Sequence, residues 1–183
     1  ERFNTELANV LGNLVNRTVA MTNKYFGGKV TAPETFEELD NELIACANET
    51  IEKYYSLMDS YRNADACECV MNFAKRCNKY IDETTPWVLA KDENSLPRLN
   101  AVLYNLLESI RLLGIMLTPV IPSSCKSIAT QINSDNKELA FGKVCEFTVG
   151  EATPLFARID MPKVLEEIAT EQAKKAEEAA KAE

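Results

Sequence analysis

The polar residues of the predicted N-terminal helix are the first candidates for chemistry. Asn13 and Arg17 are four residues apart, so their side chains project from the same face of a helix. An amide beside a guanidinium offers hydrogen-bond donors and an acceptor together, which suits the edge of a nucleobase. The spacing alone favours the ordinary alternative, an exposed or capping pair on a solvated face.

The single tryptophan of the chain is the second candidate. Trp87 follows Pro86, where a predicted helix has just ended, which places it on a loop or in the first turn of a short helix. Burial statistics favour a core or capping role for such a side chain. The alternative is a stacking platform for an unstacked base, the usual device for binding single-stranded RNA.

Histidine is absent from the sequence, and its absence excludes many catalytic sites. The chain cannot contain a Ser-His-Asp or Cys-His arrangement, a zinc site with imidazole ligands, or an imidazole general base. Its six cysteines follow no metal-ligand spacing, which is typical of free cytosolic thiols. They lie at positions 46, 67, 69, 77, 125 and 145. We therefore expect no catalytic residue, no metal ligand and no cofactor in this chain.

The charge is uneven along the chain. The 20 Lys and Arg residues are outnumbered by 28 Asp and Glu, for a net charge of −8, which argues against sequence-blind binding to nucleic acid or to anionic lipid. Much of the excess lies in residues 34–59, where eight acidic residues accompany one lysine. Residues 1–33 and 60–91, which contain the two candidates, are not acidic. A small pocket for a few bases is compatible with this distribution.

Helical periodicity dominates and predicts an all-α antiparallel helix bundle with a short β-prone C-terminal segment. The first helix has Leu7, Val10 and Leu14 on its apolar side. Predicted helices cover residues 2–26, 35–60, 62–82, 96–117 and 123–133, and β-prone runs cover 144–149 and 155–159. The Ala/Glu/Lys-rich end has almost no apolar side. We therefore predict a helical domain over residues 1–160 and a charged helical linker or tail over 161–183.

The longest apolar stretch, residues 101–121, is interrupted by Asn105, Glu108 and Arg111, so we expect a buried helix rather than a membrane span. No secretory signal opens the chain, which predicts a cytoplasmic location without membrane contact. The chain begins with Glu1 rather than Met and ends in a charged stretch. We expect it to be a piece of a longer chain.

Two runs of residues resemble a known family. The LGNLVNR motif at residues 11–17 and the YIDETTPW motif at residues 80–87 are similar, in order, to the anticodon-binding domain of methionyl-tRNA synthetases. Shorter matches extend the resemblance over about residues 2–160. They are NKYF at 23–26, PVIP at 119–122 and PLFARI at 154–159. Ala157 departs from the family pattern, which has a proline there.

The resemblance implies that the domain recognises the CAU anticodon of methionine tRNA. It assigns anticodon binding to Asn13, Arg17 and Trp87, with Trp87 stacked on the first anticodon base, a cytosine. It implies that Asn78 and Asp82 support the anticodon pocket.

The parent protein would be an ATP-dependent methionine–tRNA ligase. Its catalytic part, with ATP and with zinc as a further candidate, would lie outside this chain, because the histidine-containing ATP-binding motif is absent here. The implied partners are the anticodon loop of methionine tRNA, the catalytic domain of the same parent chain, and a second copy of the parent in a homodimer. The alternative is a helical scaffold or protein-interaction domain, with the acidic helix and the charged tail as its contact surface.

Overall fold

The computed structural model describes residues 3–157 and, beyond them, residues 164, 165, 168, 170 and 172. Over these residues the chain is a helix bundle with one small antiparallel sheet, which confirms the predicted fold class. The proposed boundary at residue 160 lies outside the described residues, so the division into two parts stays a prediction. The five described positions of the predicted tail are helical.

The predicted helices are present within the described residues, and their ends differ from prediction by about three residues at most. The elements are a π-helical segment Phe3–Gly12, α1 Asn13–Phe26, β1 Lys29–Thr31, α2 Glu38–Asp59, α3 Asn63–Thr84, α4 Pro86–Leu89, a 3-10 turn Glu93–Ser95, α5 Leu96–Leu117, α6 Pro122–Ile132 and β2 Glu146–Thr148. The π-helical segment and α1 form one continuous helix. It ends at Gly27, whose φ of 60° is the left-handed conformation that glycine adopts without strain.

Helix α5 is the centre of the bundle and contacts α1, α2, α3 and α6. Every residue from 101 to 114 is buried. Among the described residues, the stretch Glu93–Leu117 is the one helix long and apolar enough to cross a membrane, and 89% of its apolar window is buried inside the protein. The prediction of a buried helix is therefore confirmed.

A buried ion pair on α5 anchors a long loop. The Arg111 guanidinium donates to Oε2 of Glu108 from Nη2 (2.6 Å) and to the carbonyl oxygens of Glu138 and Ala140 (2.6 and 2.7 Å). The other Glu108 oxygen accepts the backbone N–H of Val144 at 2.8 Å. Because both side chains are almost fully buried, each hydrogen bond offsets part of the cost of removing these charges from water.

The sheet pairs two three-residue strands. In β1 and β2, Val30 lies opposite Phe147, and both side chains are buried. The β-prone run at 144–149 is thus confirmed. The β-structure predicted for the second run, residues 155–159, is wrong over its described part, since residues 155–157 form no strand. Pro154 cannot donate to a ladder, and the ring of Phe156 packs against the helix beside Gly12 instead.

Candidate nucleic-acid interface

Helices α1 and α3 lie side by side, and each contributes two of the predicted site residues. Arg17 of α1 faces Asp82 of α3, with 3.8 Å between Nη2 and Oδ1. One third of the Arg17 side chain and two thirds of the Asp82 side chain are exposed. A pair this long and this exposed contributes at most about 1 kcal/mol to folding, so the guanidinium remains available to a ligand.

A tight turn brings Trp87 to the same surface. Helix α3 ends at Thr84, Thr85 adopts a left-handed conformation with φ of 44°, and Pro86 begins α4. Trp87 is 41% exposed, and the Cζ atom of Arg17 lies 6.0 Å from the centroid of its ring. This distance is the outer limit of a cation–π contact. Arg17 and Trp87 therefore lie together on one exposed edge.

Asn13 lies one helical turn before Arg17 and is exposed. Four of the predicted residues (Asn13, Arg17, Asn78 and Asp82) line one open depression of about 450 Å³, which we call the α1–α3 depression. The residues that line it are Asn9, Val10, Asn13, Arg17, Lys75, Asn78, Lys79 and Asp82. Trp87 does not line it and adjoins it through Arg17.

Asn78 joins the two helices through its side-chain amide. The Nδ2 group donates to the carbonyl oxygen of Val10 at 3.1 Å and to that of Ala74 at 3.0 Å. Val10 lies in the π-helical segment, three residues before Asn13. The hydrogen bond fixes α3 against the segment from which Asn13 emerges, so Asn78 positions the site through the backbone.

A buried polar network fixes the opposite face of α3. Tyr80 is fully buried, and its hydroxyl donates to the Asp40 carboxylate and accepts from Nδ2 of Asn105 at 3.3 Å. Arg98 donates to the same carboxylate at 2.6 Å. Desolvation raises the pKa of Asp40, but the hydrogen bonds from Arg98, Tyr80 and the backbone N–H of Glu37 outweigh it and hold the pKa below its ordinary value.

Sequence reasoning missed two residues of the depression, Lys75 and Lys79. They share one face of α3 with Asn78 and Asp82, because residues three, four and seven positions apart align on a helix. This spacing is visible in the sequence and could have identified them.

Among the described residues, no group of three or more Cys, Asp or Glu side chains could hold a metal ion. The six cysteines are free thiols.

Comparison with known proteins identifies the class. The sequence model of a family described as the anticodon-binding domain of tRNA ligase matches residues 40–181. The chain belongs to this family. The matched range includes Asn78, Asp82 and Trp87 and begins after Asn13 and Arg17.

Within that class, the relatives of high identity include methionine–tRNA ligases. The methionine–tRNA ligase of Clostridium acetobutylicum is 44% identical over 173 residues, which are 92% of this chain and 27% of the relative. That of Caldanaerobacter subterraneus is 43% identical over 170 residues, 90% of this chain and 27% of the relative. The apo crystal structure of Mycobacterium tuberculosis methionyl-tRNA synthetase has a TM-score of 0.80 and 30% identity, covering 87% of this chain and 34% of that one.

These matches confirm the resemblance carried by the LGNLVNR and YIDETTPW motifs. The chain spans 27% of the length of these curated relatives.

Proposed function

We propose that this chain recognises the CAU anticodon of methionine tRNA as the non-catalytic part of a methionine–tRNA ligase. The observation that carries the proposal is the position of Arg17, 6.0 Å from the exposed Trp87 ring and one helical turn from Asn13. A stacking surface and two hydrogen-bonding side chains within reach of one base are what single-stranded RNA recognition requires.

In this proposal Trp87 stacks on the cytosine that begins the anticodon. Asn13 offers an amide oxygen as an acceptor for the exocyclic amino group, and Arg17 offers donors to the acceptor atoms of the base edge. A stacked base contributes about 1–3 kcal/mol, and a good edge contact discriminates by about 1–3 kcal/mol. The edge contacts supply about one to two orders of magnitude of selectivity. Stacking, which tolerates any base, adds affinity, so the recognition needs no large basic surface.

The catalytic chemistry belongs, in this proposal, to the part of the parent protein outside this chain. ATP, and zinc as a further candidate, would bind in its catalytic domain, and this chain would take no cofactor. The catalytic domain and a second copy of the parent are the proposed protein partners, and the cytoplasm is the proposed location. Residues 1–160 would form the anticodon-binding unit, with 161–183 as the linker or tail.

Tryptophan fluorescence tests the proposal directly, because Trp87 is the single tryptophan of the chain. The chain is titrated with an RNA stem-loop carrying CAU and with one in which U replaces the first C. We expect quenching by both loops at high concentration and a preference for CAU of about tenfold or more. Equal affinity for the two loops contradicts the proposal, and quenching by neither favours the alternative of a helical scaffold.

A further inference from the structure

The α1–α3 depression is electropositive although the chain is acidic. Its titratable side chains are three cations and one carboxylate, namely Arg17, Lys75, Lys79 and Asp82. The neighbouring Arg76 pairs with Glu83 at 2.9 Å and with Glu42 at 3.2 Å, so these three side chains lower the local excess from two positive charges to one. A local excess of positive charge on a chain with a net charge of −8 needs a reason other than solubility.

Lys75 and Lys79 are not held in ion pairs that the fold requires. Both are exposed, and Lys79 contacts Glu83 at 3.3 Å in a surface pair of the kind that contributes little to folding. The Nζ atom of Lys75 contacts Oδ1 of Asn72 at 3.3 Å. Among the described residues, no carboxylate lies within ion-pair distance of Lys75. Neither lysine is buried, so folding does not require them at these positions.

The lysines occupy the α3 wall, and the proposed base readers Asn13 and Arg17 occupy the α1 wall. A nucleotide presents its base and its phosphate on opposite sides of the ribose. An RNA strand whose bases turn toward α1 and Trp87 therefore presents its phosphates toward α3. The ammonium group of lysine is a compact point charge with three rotatable donors, which suits a phosphate.

We propose that Lys75 and Lys79 bind phosphate groups of the anticodon loop. The site rests on the proposed function above and adds to it a division of labour, in which α3 supplies affinity independent of sequence and α1 with Trp87 supplies specificity. The ligand is the backbone of single-stranded RNA, and each lysine neutralises one phosphate.

The test is the salt dependence of RNA binding. The 183-residue chain and its Lys75→Gln/Lys79→Gln variant are titrated with the CAU stem-loop from about 50 to 200 mM KCl, with tryptophan fluorescence as the readout. The control is Lys53→Gln/Lys126→Gln, which removes the same charge from exposed positions on α2 and α6. Glutamine preserves helix propensity, so all variants are expected to fold.

We expect the slope of log K against log salt to fall by about 1.4 in the test variant, since each contact to a single strand contributes about 0.7. Affinity at 0.1 M salt should fall about fivefold per lysine, while the preference for CAU over the altered loop is retained. An unchanged slope, or an equal fall in the control, overturns the phosphate site and leaves the proposed function standing. If the wild-type chain shows no preference for CAU, or binds neither loop at 50 mM KCl, the proposed function fails and the phosphate site fails with it.

Discussion

The guanidinium carbon of Arg17 lies 6.0 Å from the centroid of the Trp87 ring, and this contact joins α1 to α4. Trp87 reaches that position because the left-handed Thr85 ends α3 and the rigid Pro86 begins α4 immediately after it. At 6.0 Å the cation–π attraction is weak, about 0.5–1 kcal/mol at an exposed site. Folding therefore gains little from the arrangement, and a base stacked on the indole would find a guanidinium at its edge.

If the parent is the proposed methionine–tRNA ligase, replacing Trp87 by alanine in the full-length protein should impair tRNA charging selectively. The side chain is 41% exposed, so its loss leaves the core intact. Loss of one stacked base costs about 1–3 kcal/mol, and we expect kcat/KM for charging methionine tRNA to fall about 10- to 100-fold. Methionine-dependent pyrophosphate exchange, which needs no tRNA, should be unchanged.

Val88→Ala is the matched control, because Val88 is the next residue of α4 and is similarly exposed. We expect it to charge tRNA at the wild-type rate. Normal charging by Trp87→Ala would show that the ring does not stack on the anticodon.

Asn78→Ala should weaken both folding and RNA binding. It removes the amide that donates to the Val10 and Ala74 carbonyls, and the expected loss of unfolding free energy is about 1 kcal/mol. Affinity for the CAU stem-loop should fall as well, because the segment that precedes Asn13 loses its contact with α3. Urea unfolding and RNA titration measure the two effects.

Asn48→Ala removes an exposed amide from α2, outside the α1–α3 depression, and serves as the control. We expect it to change neither quantity beyond about 0.5 kcal/mol. Destabilisation by Asn78→Ala with full RNA affinity would limit Asn78 to a structural role.

The features predicted from sequence are those that depend on local patterns. Gly27 and the prolines at 86, 119 and 122 mark where helices begin or end, because the backbone of each of these residues favours a helix boundary. The spacing of Asn13 and Arg17 predicts that they share one face of a helix, whereas their roles and those of the other site residues are implied by the resemblance to the family. The structure places Arg17 beside Trp87, and it places Asn13 with Arg17 in the α1–α3 depression. Neither observation tests the role of a side chain in binding RNA, so the site remains a prediction.

The features that were missed depend on pairs distant in sequence. Strand β1 consists of three residues and exists because Val30 lies opposite Phe147, a partner that no local window contains. The π-helical winding of residues 3–12 is a second feature that was missed, because an apolar period near 3.6 predicts an α-helix there. Leu7 and Val10 are half-buried in the structure, and Leu11 is completely buried.

Arg111→Met should destabilise the protein severely. The substitution leaves the Glu108 carboxylate buried without its cation, a change that typically costs 3–5 kcal/mol in unfolding free energy. The loop at residues 136–144 also loses the donor to its carbonyl groups, so its amide hydrogens should exchange faster. Urea unfolding and hydrogen exchange measure the two effects.

Lys143→Met breaks an exposed ion pair with Glu138 in the same loop and should cost less than about 1 kcal/mol. The double variant Glu108→Leu/Arg111→Met should be more stable than Arg111→Met alone, because it leaves no unpaired charge. If the double variant is the less stable of the two, the ion pair is not the source of the effect.

Asp40 should make stability depend on pH in the acid range. Its pKa in the folded protein is depressed below its ordinary value, so the folded state favours the carboxylate. The resulting stability is present above the unfolded pKa of about 3.9 and is lost as pH falls through the folded value. Asp40→Asn should therefore be less stable than wild type near pH 7, by about 1–3 kcal/mol, because Arg98 loses its buried partner and keeps the exposed Glu37 at 3.0 Å.

The difference between the two proteins should shrink as the pH falls below the unfolded pKa of about 3.9 and through the lower folded value, because the wild-type carboxyl then becomes neutral as well. Asp65→Asn is the control, since it breaks a half-exposed pair with Arg62 and should cost less than about 1 kcal/mol. Urea midpoints measured at several pH values across this range give the curves. A difference between wild type and Asp40→Asn that stays constant with pH would mean that the Asp40 charge does not stabilise the fold, and that the network acts through packing and neutral hydrogen bonds alone.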